Sequence, residues 1–521
     1  MSPPDSTFRA ALAAFQAGRL PDAEKLCRAL LATQSHHADA LHLLGVISAQ
    51  SGQLDPAIIL LRRALAIQPA NHMAHNNLGR YLQASGRLDE ALASFRRALQ
   101  LHPNFADAHH NLGLALRQNH EPQLAAAAIR RALEIRPDHA IALSNLGLVL
   151  QDQGLLDEAI ASFRQASAVD PRFAEAHHNL GTALQSAGHV AEAVDSFRAA
   201  ISLRPDFVEA HANLALALLL LGDFPGGWPE HEWRFKMKSL PPERHAAHPR
   251  WDGSAAAGRT ILLYAEQGFG DTLMFVRYVP QVAARGLKVL FACQPELARL
   301  LANFPGVHQF IPSNAPAPQL QFDLQCPLAS LPLAFRTTLE TIPAATPYIT
   351  PDPALVAHWR ERITQAESGP SRLRVGLTWA GNPQHRNDAR RSLTLAQLAP
   401  LFEVPDVTFY SLQKGTRAEQ LPNGPHLIDM TPDLTDFADT AALIAHLDLV
   451  ISVDTSIVHL AGAMAKPVFV LLPFLPDWRW LLGRTDSPWY PTAQFFRQPA
   501  PGDWATPIAS AAARLANFGS P

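Results

Sequence analysis

One spacing constrains this 521-residue chain more than anything else in it. Across the first half, segments beginning at Ala40, Ala74, Ala108, Ala142, Ala176 and Ala210 align without a gap at a period of 34 residues. Gly45, Gly79, Gly113, Gly147 and Gly181 recur at that period, with Ala215 at the next position. A second series runs Gly18, Gly52, Gly86, His120, Gly154, Gly188 and Gly222, and prolines close the units at Pro69, Pro103, Pro137, Pro171 and Pro205. A fixed period of this length predicts equal supersecondary units, none of which buries its apolar face alone, so they stack. Each unit reads as two helices, with the second glycine series in the turn between them and the proline ending the second helix. The outer units, about 6–37 and 208–236, fit the pattern poorly, as end caps do.

The residues Leu78, Gly79, Ala91, Phe95, Ala98 and Pro103 resemble the tetratricopeptide repeat signature. Asn77, Asn111, Asn145, Asn179 and Asn213 share one position of the first helix, just before the packing leucine. First helices line the concave face of such arrays, which would make these amides a ladder. An amide donates to a peptide carbonyl and accepts from a peptide N–H, so it reads backbone without reading sequence. The alternative is that each asparagine fills a helix crossing or hydrogen-bonds the adjacent repeat. The segments AHNNLG, AHHNLG and AHANL resemble the repeats of protein O-GlcNAc transferases, which implies a polypeptide acceptor held in the groove. His75, His109, His110, His177, His178 and His211 are spread through the repeats, a pattern of groove lining and not of metal ligation.

Composition narrows the classes. With 48% hydrophobic residues and a net charge of −3, the chain has no basic tract to track phosphates, which argues against nucleic acid as a partner. Cys27, Cys293 and Cys326 are far apart and form no zinc or disulfide framework. The start MSPPDSTFRAALAAF lacks a basic stretch followed by an apolar core, and the densest apolar run, 214–222, is too short to span a bilayer. The expected location is cytoplasmic, without membrane insertion; oligomeric state stays open.

From Phe224 the period dissolves into a Pro-, Gly- and Trp-rich connector. Trp228, Trp233, Trp251 and, more distantly, Trp359 are expected to join the array to the second half, with stacking on a sugar as the alternative. After Gly258 apolar strands alternate with helical stretches. Expected strands are Ile261–Ala265, Lys288–Cys293 and Phe322–Cys326 in a first lobe, and Val375–Trp379, Val407–Leu412, Asp448–Val453 and Val468–Leu472 in a second. The fold class is therefore α followed by α/β: a tetratricopeptide superhelix (1–223), the connector (224–258) and a GT-B-like pair of Rossmann-like lobes (259–350 and 351–521).

Two turns carry the chemistry. In the first lobe, ILLYAEQGFGDTL is a strand, a turn containing Gly268 and Gly270, and a helix start at Asp271. The spacing GxGD departs from GxGxxG and argues against a dinucleotide cofactor. Asp271 is either a general base or an ordinary helix cap, and Glu266 is the rival base. In the second lobe, LDLVISVDTSIVHLAGAMAKPVFVLL is a strand, the polar turn Asp454-Thr455-Ser456, a helix and a strand. A helix start offers unpaired N–H groups and the positive end of its dipole to a phosphate. His459 lies one helical turn beyond Thr455. A polar loop with Asn382, Arg386 and Arg391 offers a cationic clamp, and Gln413 and Lys414 end another strand. Asp433, Asp436 and Asp439 are spaced as in a capped helix start, with no metal site expected. The segment 476–491, aromatic and basic, either closes over the nucleotide base or packs the lobes.

The Gly-Asp turn resembles that of the heptosyltransferase-like glycosyltransferases (family 9), and Asp454-Thr455 through His459-Leu460-Ala461 resembles the element with which that family holds its nucleotide-sugar. The resemblance implies Asp271 as base for an acceptor hydroxyl and Asp454 as a sugar contact. It also implies an inverting glycosyltransferase without a metal. Residues 259–505 resemble the catalytic domain fused to tetratricopeptide repeats in many bacterial proteins, some of them flagellin glycosyltransferases, so a flagellin-like acceptor is one implied partner. Two other readings are a scaffold with an inert transferase domain and a transferase acting on a glycolipid.

Overall fold

The computed structural model describes residues 3–238, 243–312, 321–367, 369, 372–385, 387–415 and 427–519. Two compact units divide the chain, Met1–Phe207 and Val208–Pro521.

The first unit is six helix pairs. They are α1 (Pro3–Gln16) with α2 (Leu20–Thr33), α3 (Ala38–Gln50) with α4 (Leu54–Ile67), and α5 (His72–Ala84) with α6 (Leu88–Leu101). Then come α7 (Ala106–Gln118) with α8 (Pro122–Ile135), α9 (Ala140–Asp152) with α10 (Leu156–Val169), and α11 (Ala174–Ser186) with α12 (Val190–Leu203). The first helices from α3 to α11 also touch one another along the stack, so they form its inner row.

The sequence period has a steric origin. A Cβ built on Gly79, Gly147 or Gly181 would lie 2.6 Å from Phe95, Phe163 or Phe197, the bulky residue of the partner helix in the same unit. Those rings are fully buried. The glycine is thus the hole and the phenylalanine the knob, and the helices close to a distance that no larger residue allows. In the turn series Gly18, Gly52, Gly86, Gly154 and Gly188 all have φ between 73° and 88°. His120 adopts φ 59° at the same position, a left-handed conformation that costs a side-chain-bearing residue about 1 kcal/mol.

The second unit opens with α13 (Val208–Leu221) and α14 (Phe224–His231). Trp228, buried, donates its indole N–H to the Thr337 carbonyl at 2.9 Å, and Trp233 stacks on His211 at 3.7 Å. The stretch around Trp251 pairs with Gln325, so an open sheet edge is covered. Trp359 belongs elsewhere: it sits in the Pro353–Ala366 helix and points its indole N–H at Asp439.

Two all-parallel sheets follow. The first contains β1 (Thr260–Tyr264), β2 (Lys288–Cys293), β3 (Val307–Pro312) and β4 (Leu324–Pro327) in the order β3-β2-β1-β4. The second contains β5 (Leu373–Thr378), β6 (Val407–Ser411), β7 (Leu427–Asp429), β8 (Leu449–Val453), β9 (Val468–Leu472) and β10 (Ala493–Arg497), in the order β10-β9-β8-β5-β6-β7. Both are doubly wound, with the strand order reversing between β1 and β4 and between β5 and β8. β5, β8 and β9 are wholly or almost wholly buried, as parallel strands covered on both faces must be. This is the GT-B-like arrangement expected. Three strands escaped the sequence reading, and all three (β3, β7 and β10) are edge strands.

Buried Arg277 joins the lobes. It donates to the Trp489 carbonyl of the second lobe at 2.8 Å, and to the Tyr348 hydroxyl at 2.8 Å and the Met274 carbonyl within its own lobe. Arg299 makes a second tie, to Asp436 at 2.8 Å and Asp439 at 2.6 Å.

The steric account of the repeat makes a graded prediction. Gly147→Ala forces the Phe163 ring to move and should destabilise the array by about 1–3 kcal/mol. At Gly45 the nearest side-chain atom to the added Cβ is at 3.2 Å, so Gly45→Ala should be near neutral, the helix-propensity gain of about 1 kcal/mol offsetting the contact. Urea titrations followed by far-UV circular dichroism measure both, and equal losses would contradict the account.

Candidate functional site

Each doubly wound sheet places ligands outside the carboxyl ends of its strands, at the point where the order reverses. In the first lobe that point is the end of β1, where the chain runs through Glu266, Gly268 and Gly270 into α15 (Phe269–Phe275). In the second lobe it is the ends of β5 and β8, followed by the Gly381 loop and the Asp454 turn. A Cβ on Gly270 would lie 2.7 Å from His459 Cδ2, so the two turns are in van der Waals contact across the lobes.

Asp271 does two things at once. Its Oδ2 accepts from the Gly268 N–H at 3.0 Å, the capping role of an acidic residue at a helix start. Its Oδ1 forms an ion pair with Arg479 Nη2, which comes from the opposite lobe. Arg479 also donates from Nη1 to Asp477 Oδ1 at 2.6 Å. The carboxylates surrounding this buried guanidinium hold its pKa above the usual arginine range, Asp271 and Asp477 contributing most, against the penalty of burial.

Glu266 is tied down differently. Arg234 Nη2 donates to its Oε1 at 3.0 Å, and Arg234 also holds Ser330 and Glu232. Burial pushes the Glu266 carboxyl up, and the Arg234 charge pulls it back.

At the end of β8, Thr455 caps the Ser456–Ala463 helix, its Oγ1 accepting from the Ile457 N–H at 3.3 Å. Asp454 and Ser456, on either side, keep partial solvent contact. Asp454 is pushed up to about 6, by burial first and then by the Asp477 carboxylate; Arg391 and Arg479 oppose the rise. His459 is buried, with Nδ1 2.9 Å from the Tyr490 hydroxyl and its ring stacked on Trp480. Burial and then the nearby guanidinium of Arg479 hold it well below the usual histidine range, so it is neutral.

The Gly381 loop brings in Arg391. A Cβ on Gly381 would lie 2.6 Å from Arg391 Nη2, so the bare glycine makes room for the guanidinium. The Nε atoms of Arg391 and Arg479 are buried without a hydrogen-bond partner among the described residues.

Asp271, Gly270, Asp454, His459 and Arg391 therefore meet in one place, with Thr455 and Ser456 beside them. Gln413 acts on the neighbouring backbone: its Oε1 accepts from the N–H groups of Trp379 and Ala380, at 3.1 and 2.8 Å, and so shapes the end of β5. Lys414 is exposed and donates to the Leu434 carbonyl, and exposed Asn382 accepts from Gln384. Arg386 lies outside the described residues. Asp436 caps the Phe437–Ile444 helix, as its spacing suggested. Sequence reading left 476–491 open and did not single out Arg479. Trp478, Trp480, Trp489 and Tyr490 are buried: Trp489 and Tyr490 pack against Phe275 and Arg277 of the first lobe, Trp478 against Phe224 and Trp228, and Trp480 on His459, while Arg479 between the first two indoles reaches the site.

In the repeats, Asn77, Asn111, Asn145 and Asn179 are half-buried and each bonds to the preceding helix pair. Asn77 Nδ2 lies 2.9 Å from His42 Nε2, Asn111 donates to Asn76 at 3.0 Å, Asn145 lies 2.8 Å from His110 Nε2, and Asn179 donates to Ser144 at 3.2 Å. The inter-repeat alternative is thus what these amide N–H groups do, which fixes the orientation of the Oδ1 carbonyls. Asn213 belongs to the second unit. His75, His109 and His177 each bond to the proline carbonyl that closes the previous unit. Burial, followed by His139, lowers His110 to about 4, in keeping with its acceptor role toward Asn145. A concavity of about 310 Å³ beside the ladder is lined by Asn76, Asn77, Arg80, Phe105, His110 and Asn111, among others.

Residues 8–72, 76–140 and 178–227 match one tetratricopeptide repeat model and 152–188 another. Residues 409–472, from β6 to β9, match glycosyltransferase family 9 (heptosyltransferase). Protein FlbA of Caulobacter vibrioides is 30% identical over 328 residues, covering 58% of this chain and 54% of FlbA. The chain thus spans about half the length of this curated relative. Among solved structures, MamA is 28% identical over 31% of this chain and 95% of its own, with a TM-score of 0.30. YrrB, described as a tetratricopeptide protein with an unusual peptide-binding site, is 23% identical over 35% of this chain and 95% of its own, with a TM-score of 0.31. Among the described residues no helix is long and apolar enough to cross a membrane.

The elevated Asp454 carboxyl has a measurable consequence. A carboxyl raised in the folded state takes up its proton there before it does in the unfolded chain, so stability falls as pH rises from about 4 to about 6. Asp454→Asn should remove that fall and raise the melting temperature at neutral pH, with little change at pH 4. A scanning-fluorimetry series across this range checks it; a variant less stable than the parent at neutral pH would refute it. The chain joins tetratricopeptide repeats to a GT-B-like α/β unit whose second lobe carries a glycosyltransferase family 9 match.

Proposed function

We propose that the protein is a glycosyltransferase that moves a sugar from a nucleotide-sugar donor to a hydroxyl of a polypeptide acceptor carried by the repeats. The observation that carries this reading is the meeting of the Gly-Asp turn and the Asp454 turn at the two points of strand-order reversal, with the family 9 match running through the second. The donor diphosphate sits at the Thr455–Ser456 helix start, where free N–H groups and the helix dipole favour an anion. Arg391 and Arg479, with exposed Lys414, balance the charge that grows on the leaving nucleotide, so no metal is needed. His459 is neutral and carries the contact with Gly270. Gln413 keeps the β5 end in shape, and Asn382 lies on the loop that carries Arg391. Asp454 orients sugar hydroxyls. Asp271 takes the acceptor proton; Glu266, pinned by Arg234, supports the turn from below.

The repeat array supplies the acceptor class. Oδ1 of Asn77, Asn111, Asn145 and Asn179, with the amide oriented by the inter-repeat bond, accepts from peptide N–H groups of an extended chain. Asn213 continues the same sequence position in α13. A polypeptide such as a flagellin fits this mode because backbone is read and sequence is not.

A panel of labelled nucleotide-sugars incubated with protein and cell lysate tests the proposal. Label should enter protein, and chelation should leave the rate unchanged. Asp271→Asn should lower turnover at least about 100-fold with an intact circular dichroism spectrum, and Lys414→Ala should also impair it. Asn111→Ala combined with Asn145→Ala should raise the acceptor KM about tenfold while leaving donor hydrolysis as it was. Label in lipid alone would assign a glycolipid acceptor, and no donor turnover with any sugar would leave a scaffold.

A further inference from the structure

We propose that Arg479 is a cross-lobe latch: it holds Asp271 in the free protein and is drawn off it by the diphosphate of the arriving donor, so that donor binding itself uncovers the proton-accepting carboxylate. The inference rests on the nucleotide-sugar reading above and adds to it an order of events and a positioning residue.

The geometry is that of a shared cation. Arg479 spends one terminal nitrogen on Asp271 of the first lobe and the other on Asp477 of the second. Its Nε is buried and unpaired among the described residues, so its hydrogen-bonding capacity is not exhausted. Three carboxylates (Asp271, Asp454 and Asp477) and two guanidinium groups (Arg391 and Arg479) interact within this cluster. A diphosphate entering at the Thr455 turn is an additional acceptor of higher charge, and a planar fork suits it.

The backbone beneath Arg479 is held still. Trp478 and Trp480, on either side, are buried, and Arg497 donates to the Leu481 carbonyl at 2.9 Å and the Trp480 carbonyl at 3.3 Å. Leu481 adopts φ 49°, a left-handed conformation that a leucine keeps only when its surroundings impose it. Movement is therefore confined to the side chain, whose rotation carries Nη2 from Asp271 toward the anion.

The chemical consequence follows. While Asp271 Oδ1 is bound to Arg479 Nη2 and its Oδ2 to the Gly268 N–H, neither oxygen is open to an incoming hydroxyl. Once the diphosphate takes Nη2, Oδ1 of Asp271 is open to the acceptor hydroxyl. It then accepts the acceptor hydroxyl's proton as the hydroxyl oxygen bonds to the anomeric carbon. The anomeric carbon–oxygen bond to the diphosphate breaks, and its electron pair leaves on the nucleoside diphosphate.

Because Asp271 and diphosphate compete for one cation, removing the competitor strengthens binding. Titrations with UDP, GDP and ADP, read by tryptophan fluorescence, test this in the full-length protein. Asp271→Asn should bind the preferred nucleotide about tenfold tighter than wild type, as expected when the competent state is a minor one in the free protein. In the Arg479→Gln background the same change should give less than about twofold, since the latch is already gone. If Arg479→Gln does not fold, Arg479→Lys, which keeps the charge and loses the fork, should show a reduced tightening. Unchanged or weaker binding by Asp271→Asn overturns the latch, and so does equal tightening in both backgrounds. If wild type and Asp271→Asn bind none of the three nucleotides, the nucleotide-sugar reading fails and the latch fails with it.

Discussion

The candidate site depends on a guanidinium that never reaches it. Arg277 donates to the Trp489 carbonyl across the seam and to the Tyr348 hydroxyl near the end of its own lobe, and is enclosed by Tyr348, Trp489 and Tyr490. A buried charge of this kind is tolerable only with its donors satisfied, which makes the seam specific as well as strong. Four of its donations are accounted for, two from one nitrogen. With the seam set, Gly270 meets His459 and the two strand-order reversals face one another. Each lobe alone would present half a constellation.

Charge within the site is distributed to the detriment of stability. Asp454 is held where its ionised form is disfavoured, beside Asp477, and Leu481 occupies a backbone region that leucine avoids. Such local costs persist where surrounding packing over-determines the structure, and here buried Trp478, Trp480, Trp489 and Tyr490 supply that packing. Segment 476–491 thus does the packing left open as one of its two readings, and the packing is what keeps Arg479 in place.

The repeat units were almost fully legible in the sequence, because their period is a direct image of helix-to-helix sterics: a glycine every 34 residues faces a bulky side chain, Phe95, Phe163 or Phe197 in three units and Leu61 or Ile129 in the others. Buried parallel strands such as β5, β8 and β9 were legible as apolar runs. The edge strands β3, β7 and β10 were not, since an edge needs no continuous apolar run; VHQFIP and LID carry little periodic signal. Site residues near glycine turns and strand ends could be named from local pattern alone. Arg479 could not, because its importance lies in a contact with Asp271 across 208 positions of sequence. Its local signal was only an arginine between two tryptophans. Gln413 shows the converse: a polar residue at a ligand edge whose amide serves the backbone beside it.

The asparagine ladder has a grammar of its own. Each member leans on a side chain 35 positions earlier, and those supports are His42, Asn76, His110 and Ser144. The supporting position asks only for a hydrogen-bond acceptor, not for a particular residue. Any whole unit could therefore be lost or duplicated and the asparagine after the join would still find a support at the same remove. The array behaves as a ruler that can be cut or extended at any graduation mark, and its length can drift over generations without a single rung being redesigned.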